Sequence, residues 1–171
     1  MKPIALLTAL LLAILAGVPA SAQQMLSINA FSGTWIGHDF HLFGRDFDVT
    51  IRPEGQGFRI DWTTIIRKGG DPNKPNIRRR KSSKSLVPTG APGVFRGANS
   101  GDPLAGKELC WAHIQKSTLS LFLMTIDKDG IYTLQQYDRT LSGTGMMLTF
   151  LSLSDGDRQR VVKGRLIKSA R

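Results

Sequence analysis

Between residues 46 and 67, apolar and polar side chains alternate with a period of two, and this pattern constrains the fold more than any other feature of the chain. Phe47, Val49 and Ile51 alternate with Asp46, Asp48, Thr50 and Arg52. Beyond the breaker Pro53-Glu54-Gly55-Gln56-Gly57, the residues Phe58, Ile60, Trp62 and Ile66 share one face, with Thr64 in register. Arg59, Asp61, Thr63 and Arg67 take the other. Successive side chains on a strand point to opposite sides, so this spacing makes two strands with one wet face, joined as a hairpin. A helix would need apolar positions three and four apart, and these segments lack them.

The C-terminal half continues in the same way. Residues 109–114, 118–126, 131–140, 146–153 and 158–167 read as strands. The second of them is apolar on both faces and is expected to be central. Between them lie Asp127-Lys128-Asp129-Gly130, Ser142-Gly143-Thr144-Gly145 and Asp155-Gly156-Asp157. Turn residues every ten to fifteen positions favour an antiparallel meander. No amphipathic helix of ten residues is visible after the N-terminal segment. The expected fold class is therefore all-β, an antiparallel up-and-down barrel or barrel-like sandwich of about 8–10 strands, preceded by a cleaved signal helix.

That signal is read from the first 22 residues. Met1-Lys2 supplies a positive charge, residues 4–18 form an uncharged apolar run, and Ala20-Ser21-Ala22 ends it with small residues. This is the order of n-region, h-region and A-x-A site in an export signal. A run of about 15 residues is shorter than the roughly 20 that span a bilayer. Cleavage is expected after Ala22, leaving residues 23–171 as one β-barrel domain with no transmembrane segment, in a periplasmic or secreted location. Cys110 is the only cysteine, so no internal disulfide can staple the fold and packing must hold it. Beside Trp111, in an apolar segment, Cys110 reads as a small buried hydrophobe.

Near the start of the mature chain, Phe31-Ser32-Gly33-Thr34-Trp35 introduces the first strand. Gly33-Thr34-Trp35 resembles the Gly-x-Trp opening of the calycin-type barrels, the lipocalin and avidin families. The resemblance implies an up-and-down barrel with the tryptophan plugging one end. The chain departs from both families elsewhere. It has no Thr-Asp-Tyr turn of the lipocalin kind, and Ile36-Gly37 follows Trp35 in place of the polar ligand contacts of avidins. The resemblance implies architecture and carries over no ligand.

Charge is local. The 23 Lys and Arg outweigh 13 Asp and Glu by +10, or +9 once Lys2 leaves with the signal. Residues 67–84 hold Arg67, Lys68, Lys74, Arg78, Arg79, Arg80, Lys81 and Lys84 against Asp71 alone. Residues 69–76 are rich in Gly and Pro and are expected to form an exposed loop. Residues 77–87 fit an edge strand at best, since charges on both faces discourage pairing. The 67–87 stretch is thus a basic loop or edge segment. It is either a solvated surface kept for solubility or an anion-binding patch built from Arg78, Arg79, Arg80, Lys81 and Lys84. The partners expected for such a patch are an anionic envelope surface, phospholipid or lipopolysaccharide, or an acidic protein. Nucleic acid is disfavoured by export and by the lack of aromatics to stack bases.

Motifs for chemistry are few. His38 and His41 fall three apart and so face opposite ways on a strand, and His113 would have to complete any metal site. Asp127-Lys128-Asp129-Gly130 starts like a calcium loop, but position twelve is Asp138, inside the next strand, so a hairpin is the simpler reading. There is no Gly-x-Ser-x-Gly elbow. No catalytic residue, metal or cofactor is expected. Trp35, Trp62 and Trp111 are the candidates to line an interior, which is either filled core or a pocket for a small apolar ligand. The expected function is a binding or interaction module of the bacterial envelope. The alternative is a periplasmic hydrolase-type enzyme that pairs one histidine with a carboxylate.

Overall fold

The computed structural model describes residues 25–39, 45–71, 74–143 and 145–170. Residues 1–22, read as the export signal, lie outside them, as does His41. A helical turn, α1 (Ile28–Phe31), leads into ten strands. These are β1 (Gly33–Asp39), β2 (Arg45–Glu54), β3 (Gly57–Asp71), β4 (Lys74–Pro88) and β5 (Val94–Gly97). They continue as β6 (Leu109–Gln115), β7 (Thr118–Ile126), β8 (Tyr132–Ser142), β9 (Gly145–Ser154) and β10 (Asp157–Lys168). Every strand pairs antiparallel with its neighbours in sequence, and β10 returns to β1 through pairs such as Ile36 with Ile167. The sheet is a closed up-and-down barrel. Closure removes the unpaired edges that an open sheet would expose.

The turns follow from local chemistry. Asp155 and Gly156 both take positive φ, 50° and 86°, between β9 and β10. Two such residues make the tight turn whose twist matches a hairpin, and Asp-Gly favours it. At the β7–β8 turn, the Asp127 carboxylate accepts hydrogen bonds from the backbone N–H of Asp129 (2.9 Å) and of Ile131 (3.0 Å). The carboxylate is thus engaged in shaping a hairpin.

One end of the barrel is packed shut. Phe31 of α1 is fully buried, and the Trp35 indole donates to its carbonyl at 2.9 Å. Ile51, Phe58, Ile60, Leu86, Phe95, Ala112, Ile114, Leu119, Met146 and Leu166 fill the space below. Phe58 and Phe95 meet edge to face at 5.0 Å. All of these occupy the strand ends nearest α1.

Two expectations for the basic segment need correction. Residues 69–71 and 74–76 are strand and not free loop: β3 and β4 stay paired this far, with Gly70 opposite Pro75 and Asp71 opposite Lys74 beyond an irregularity after Arg67. Ladder pairing continues because Pro75 sits where a missing N–H is tolerated, near the strand start. Nor is β4 simply an edge. It joins β3 along its length and reaches β5 through Leu86, Val87 and Pro88. Beyond that short contact, the loop after β5 takes over. The Ala98 N–H donates to the Ser85 carbonyl at 2.8 Å, and the Lys84 ammonium pairs with Glu108.

Candidate functional site

Eight strands give a barrel just wide enough for side chains to fill. Ten give a wider one, and the half away from α1 holds a cavity of about 500 Å³. That volume lies within the range of small-molecule sites, roughly 300–1,000 Å³. Its depth is set out along β8, where Thr133, Gln135, Tyr137 and Arg139 fall on the inward register. Thr125, Thr133, Gln135, Arg80 and Arg160 make a polar rim.

Aromatic and aliphatic side chains form the waist. Tyr137 lies between Trp62, at 5.5 Å, and Phe150, at 4.7 Å, with Leu123 and Val162 also lining the space. The Tyr137 hydroxyl donates to the Gln135 side-chain carbonyl at 3.0 Å. Burial pushes the Tyr137 phenol upward, partly offset by the nearby charges of Arg139 and Arg80. It therefore stays neutral at pH 7.

Arg139 forms the floor. It pairs in register with Leu119 and Leu148 and is only 2% exposed, yet it lines the cavity. Its Nε and Nη1 have no hydrogen-bond partner among the described residues. The guanidinium carbon lies 5.4 Å from the centre of the Tyr137 ring. Burial lowers its pKa to about 10, against the raising influence of Tyr137 and Asp138, so it remains charged at neutral pH.

The basic segment is divided by the alternation of its strand. Arg78, Arg80 and Lys84 share the inward register with Ile66, Thr64 and Ile60, whereas Arg79 and Lys81 pair with Ile65 and Thr63 on the outer face. Arg80 and Lys84 line the cavity. The five candidates therefore do not form one surface.

The three tryptophans also separate. Trp62 lines the cavity, and Trp35 belongs to the packed end. Trp111 does not face the interior. Cys110, Ala112 and Ile114 take the inward positions of β6, and Trp111 stacks on Phe122 at 4.8 Å on the outer side. His113 stacks on the same ring at 5.7 Å. Its strand alternates buried and half-buried positions, and residue 111 falls on the half-buried set.

Arg139 and its neighbour Tyr137 were not singled out from the sequence. β8 is polar on both faces, with Gln135 and Arg139 on one and Gln136 and Asp138 on the other. Alternation in it gives no sign of which side turns inward. Among the described residues no group of three or more His, Cys, Asp or Glu is arranged to hold a metal ion. No helix of the described residues is long and apolar enough to cross a membrane.

Fold and site together define a closed, ten-stranded up-and-down β-barrel that is packed near α1 and holds a cavity in its other half. No family model, curated protein or solved structure matches the chain.

Proposed function

We propose that the protein is an exported binding module of the bacterial envelope that holds a small ligand in the lumen of its barrel. The observation that carries this reading is the cavity of about 500 Å³ behind a polar rim, with an aromatic waist. Polar and charged side chains converge in this cavity around the aromatic waist, and a concave pocket with convergent polar groups is the default candidate for a ligand site. The envelope location rests on the charged start, apolar run and Ala-x-Ala site of residues 1–22. The calycin-type reading rests on the Gly33-Thr34-Trp35 opening and on Trp35 standing at the packed end, as the resemblance implies.

Docking of the basic segment onto phospholipid, lipopolysaccharide or an acidic protein carries less weight. Only Arg79 and Lys81 of its five candidates lie on the outer register face. The hydrolase alternative needs a histidine beside a carboxylate. His113, whose side chain is described, stacks on Phe122 outside the barrel.

A neutral fluorescent probe, N-phenyl-1-naphthylamine, tests the lumen. Saturable binding with quenching of tryptophan emission is expected, together with a marked loss in Ser82→Phe. Ser82 lies opposite Trp62 and lines the cavity, so the larger side chain occupies the space. The reading fails if the wild-type protein does not take up the probe, or if the filled variant binds it equally well.

A further inference from the structure

We infer that the lumen takes an anionic amphiphile, its acid group held by the buried guanidinium of Arg139 and its apolar part against the aromatic waist. This deepens the lumen-binding reading above and rests on it. The starting point is an electrostatic imbalance at the cavity floor. Buried polar groups in folded proteins almost always find partners, and an uncompensated buried charge is among the costlier defects a core can hold. Arg139 is 2% exposed and presents two N–H-bearing nitrogens, Nε and Nη1, with no acceptor among the described residues.

Neither Nε nor Nη1 of Arg139 meets a carboxylate among the described residues, although Asp138 supports its charge through space and Asp48 also lines the cavity. Glu108 is paired with Lys84. Asp138 is adjacent in sequence, but its side chain accepts from Ser120 at 2.6 Å and from Gln136 at 2.8 Å. The Tyr137 ring beside the cation is neutral. A guanidinium presents its donors as a planar fork that matches a carboxylate or similar oxyanion, and hydrogen bonds of this charged kind are the strong ones.

The order of chemistry along the lumen selects the rest of the ligand. Arg139 lies four residues below Gln135 on β8, about 14 Å of strand at ~3.4 Å per residue. Tyr137, Trp62 and Phe150 occupy the interval. A ligand whose head reaches the floor must therefore lay an apolar body against these rings. Arg80 and Arg160 at the rim add positive potential that draws an anion inward.

The test compares decanoate with decanol, which differ in the head group alone, by titration calorimetry on the mature protein. Wild type is expected to bind decanoate about 10–100-fold more tightly, the range for one charged hydrogen-bonded contact. Arg139→Met should lose the preference for decanoate over decanol. Without ligand, this variant should melt at or above the wild-type temperature, because an apolar side chain relieves the buried charge. Arg139→Gln serves as a second variant with the same expectation for head-group preference.

Equal affinity for the two ligands in wild type overturns the inference, as does a preference for decanoate that survives both substitutions. A ligand-free Arg139→Met that melts well below wild type also overturns it, since Arg139 would then be a structural group. In each case uptake of N-phenyl-1-naphthylamine leaves the lumen reading standing. Failure to take up that probe as well removes both.

Discussion

Two buried groups of this barrel, Cys110 and Arg139, show how burial treats different chemistries. Burial pushes the Cys110 thiol up to about 11, with Lys84 pulling down and Glu108 pushing up by smaller amounts. Burial lowers Arg139. Both shifts disfavour the charged form, as desolvation must. For Cys110 the consequence is inertness, because the thiolate is the nucleophile. Alkylation by N-ethylmaleimide at pH 8 should be slow in the native protein and complete within minutes in denaturant. Rapid native labelling would contradict the burial. The sign of the linked stability also follows. Below the ordinary thiol value of 9.0 both states hold the proton. Between there and about 11 the unfolded thiol ionises while the folded one does not, so this contribution to stability falls as pH rises. Cys110→Ala should remove that part of the alkaline slope.

At the level of elements, the β3–β4 hairpin sets both the rim and the wall of the lumen. Its register begins at a tight approach. Gly57 is buried, and a Cβ there would collide with the Leu86 carbonyl oxygen across the ladder, a backbone atom that cannot swing away. Gly57→Ala should therefore cost about 1–3 kcal/mol, the usual range for overpacking. Gly90, in the exposed turn after β4, has an ordinary φ and open space where a Cβ would stand. Gly90→Ala should stay within about 0.5 kcal/mol of wild type. Urea melts of the two variants check the comparison, and equal midpoints would mean the β3–β4 register is wrongly placed. The same register decides which charges of the basic segment face the lumen, because a shift of one residue would exchange Arg80 for Arg79.

For the whole molecule, the proposed compartment and the proposed cargo are linked. On the proposed export the barrel would meet lipids and small anions of the envelope, the ligands proposed for its lumen. Export with cleavage after Ala22 should give a periplasmic or secreted protein beginning at Gln23 by N-terminal sequencing. A cytoplasmic product retaining Met1 would remove the envelope reading and leave the lumen untouched.

Much of the architecture was legible because it is local. The alternation of Val49, Ile51, Phe58, Ile60 and Trp62 marks an inward face, and all five are buried. Asp-Gly and Gly-rich turns mark the hairpins, and the bounds of β7 coincide with the expected 118–126. These features depend on side-chain periodicity and turn geometry, which act over a few residues. The site was less legible because it is made by closure. Whether Trp111 faces in or out depends on which side of β6 meets the lumen, and an aromatic residue suits either side. Arg80 and Lys84 became lining residues only when β3 imposed its register on β4. Arg139 looks like any strand arginine until β7 and β9 place Leu119 and Leu148 beside it and bury it. Sequence alone determined that this chain forms an antiparallel meander of strands, because periodicity is written residue by residue. The tertiary structure alone decided where the unpaired buried charge lies, because burial and lost partners are properties of the closed barrel and of no single strand.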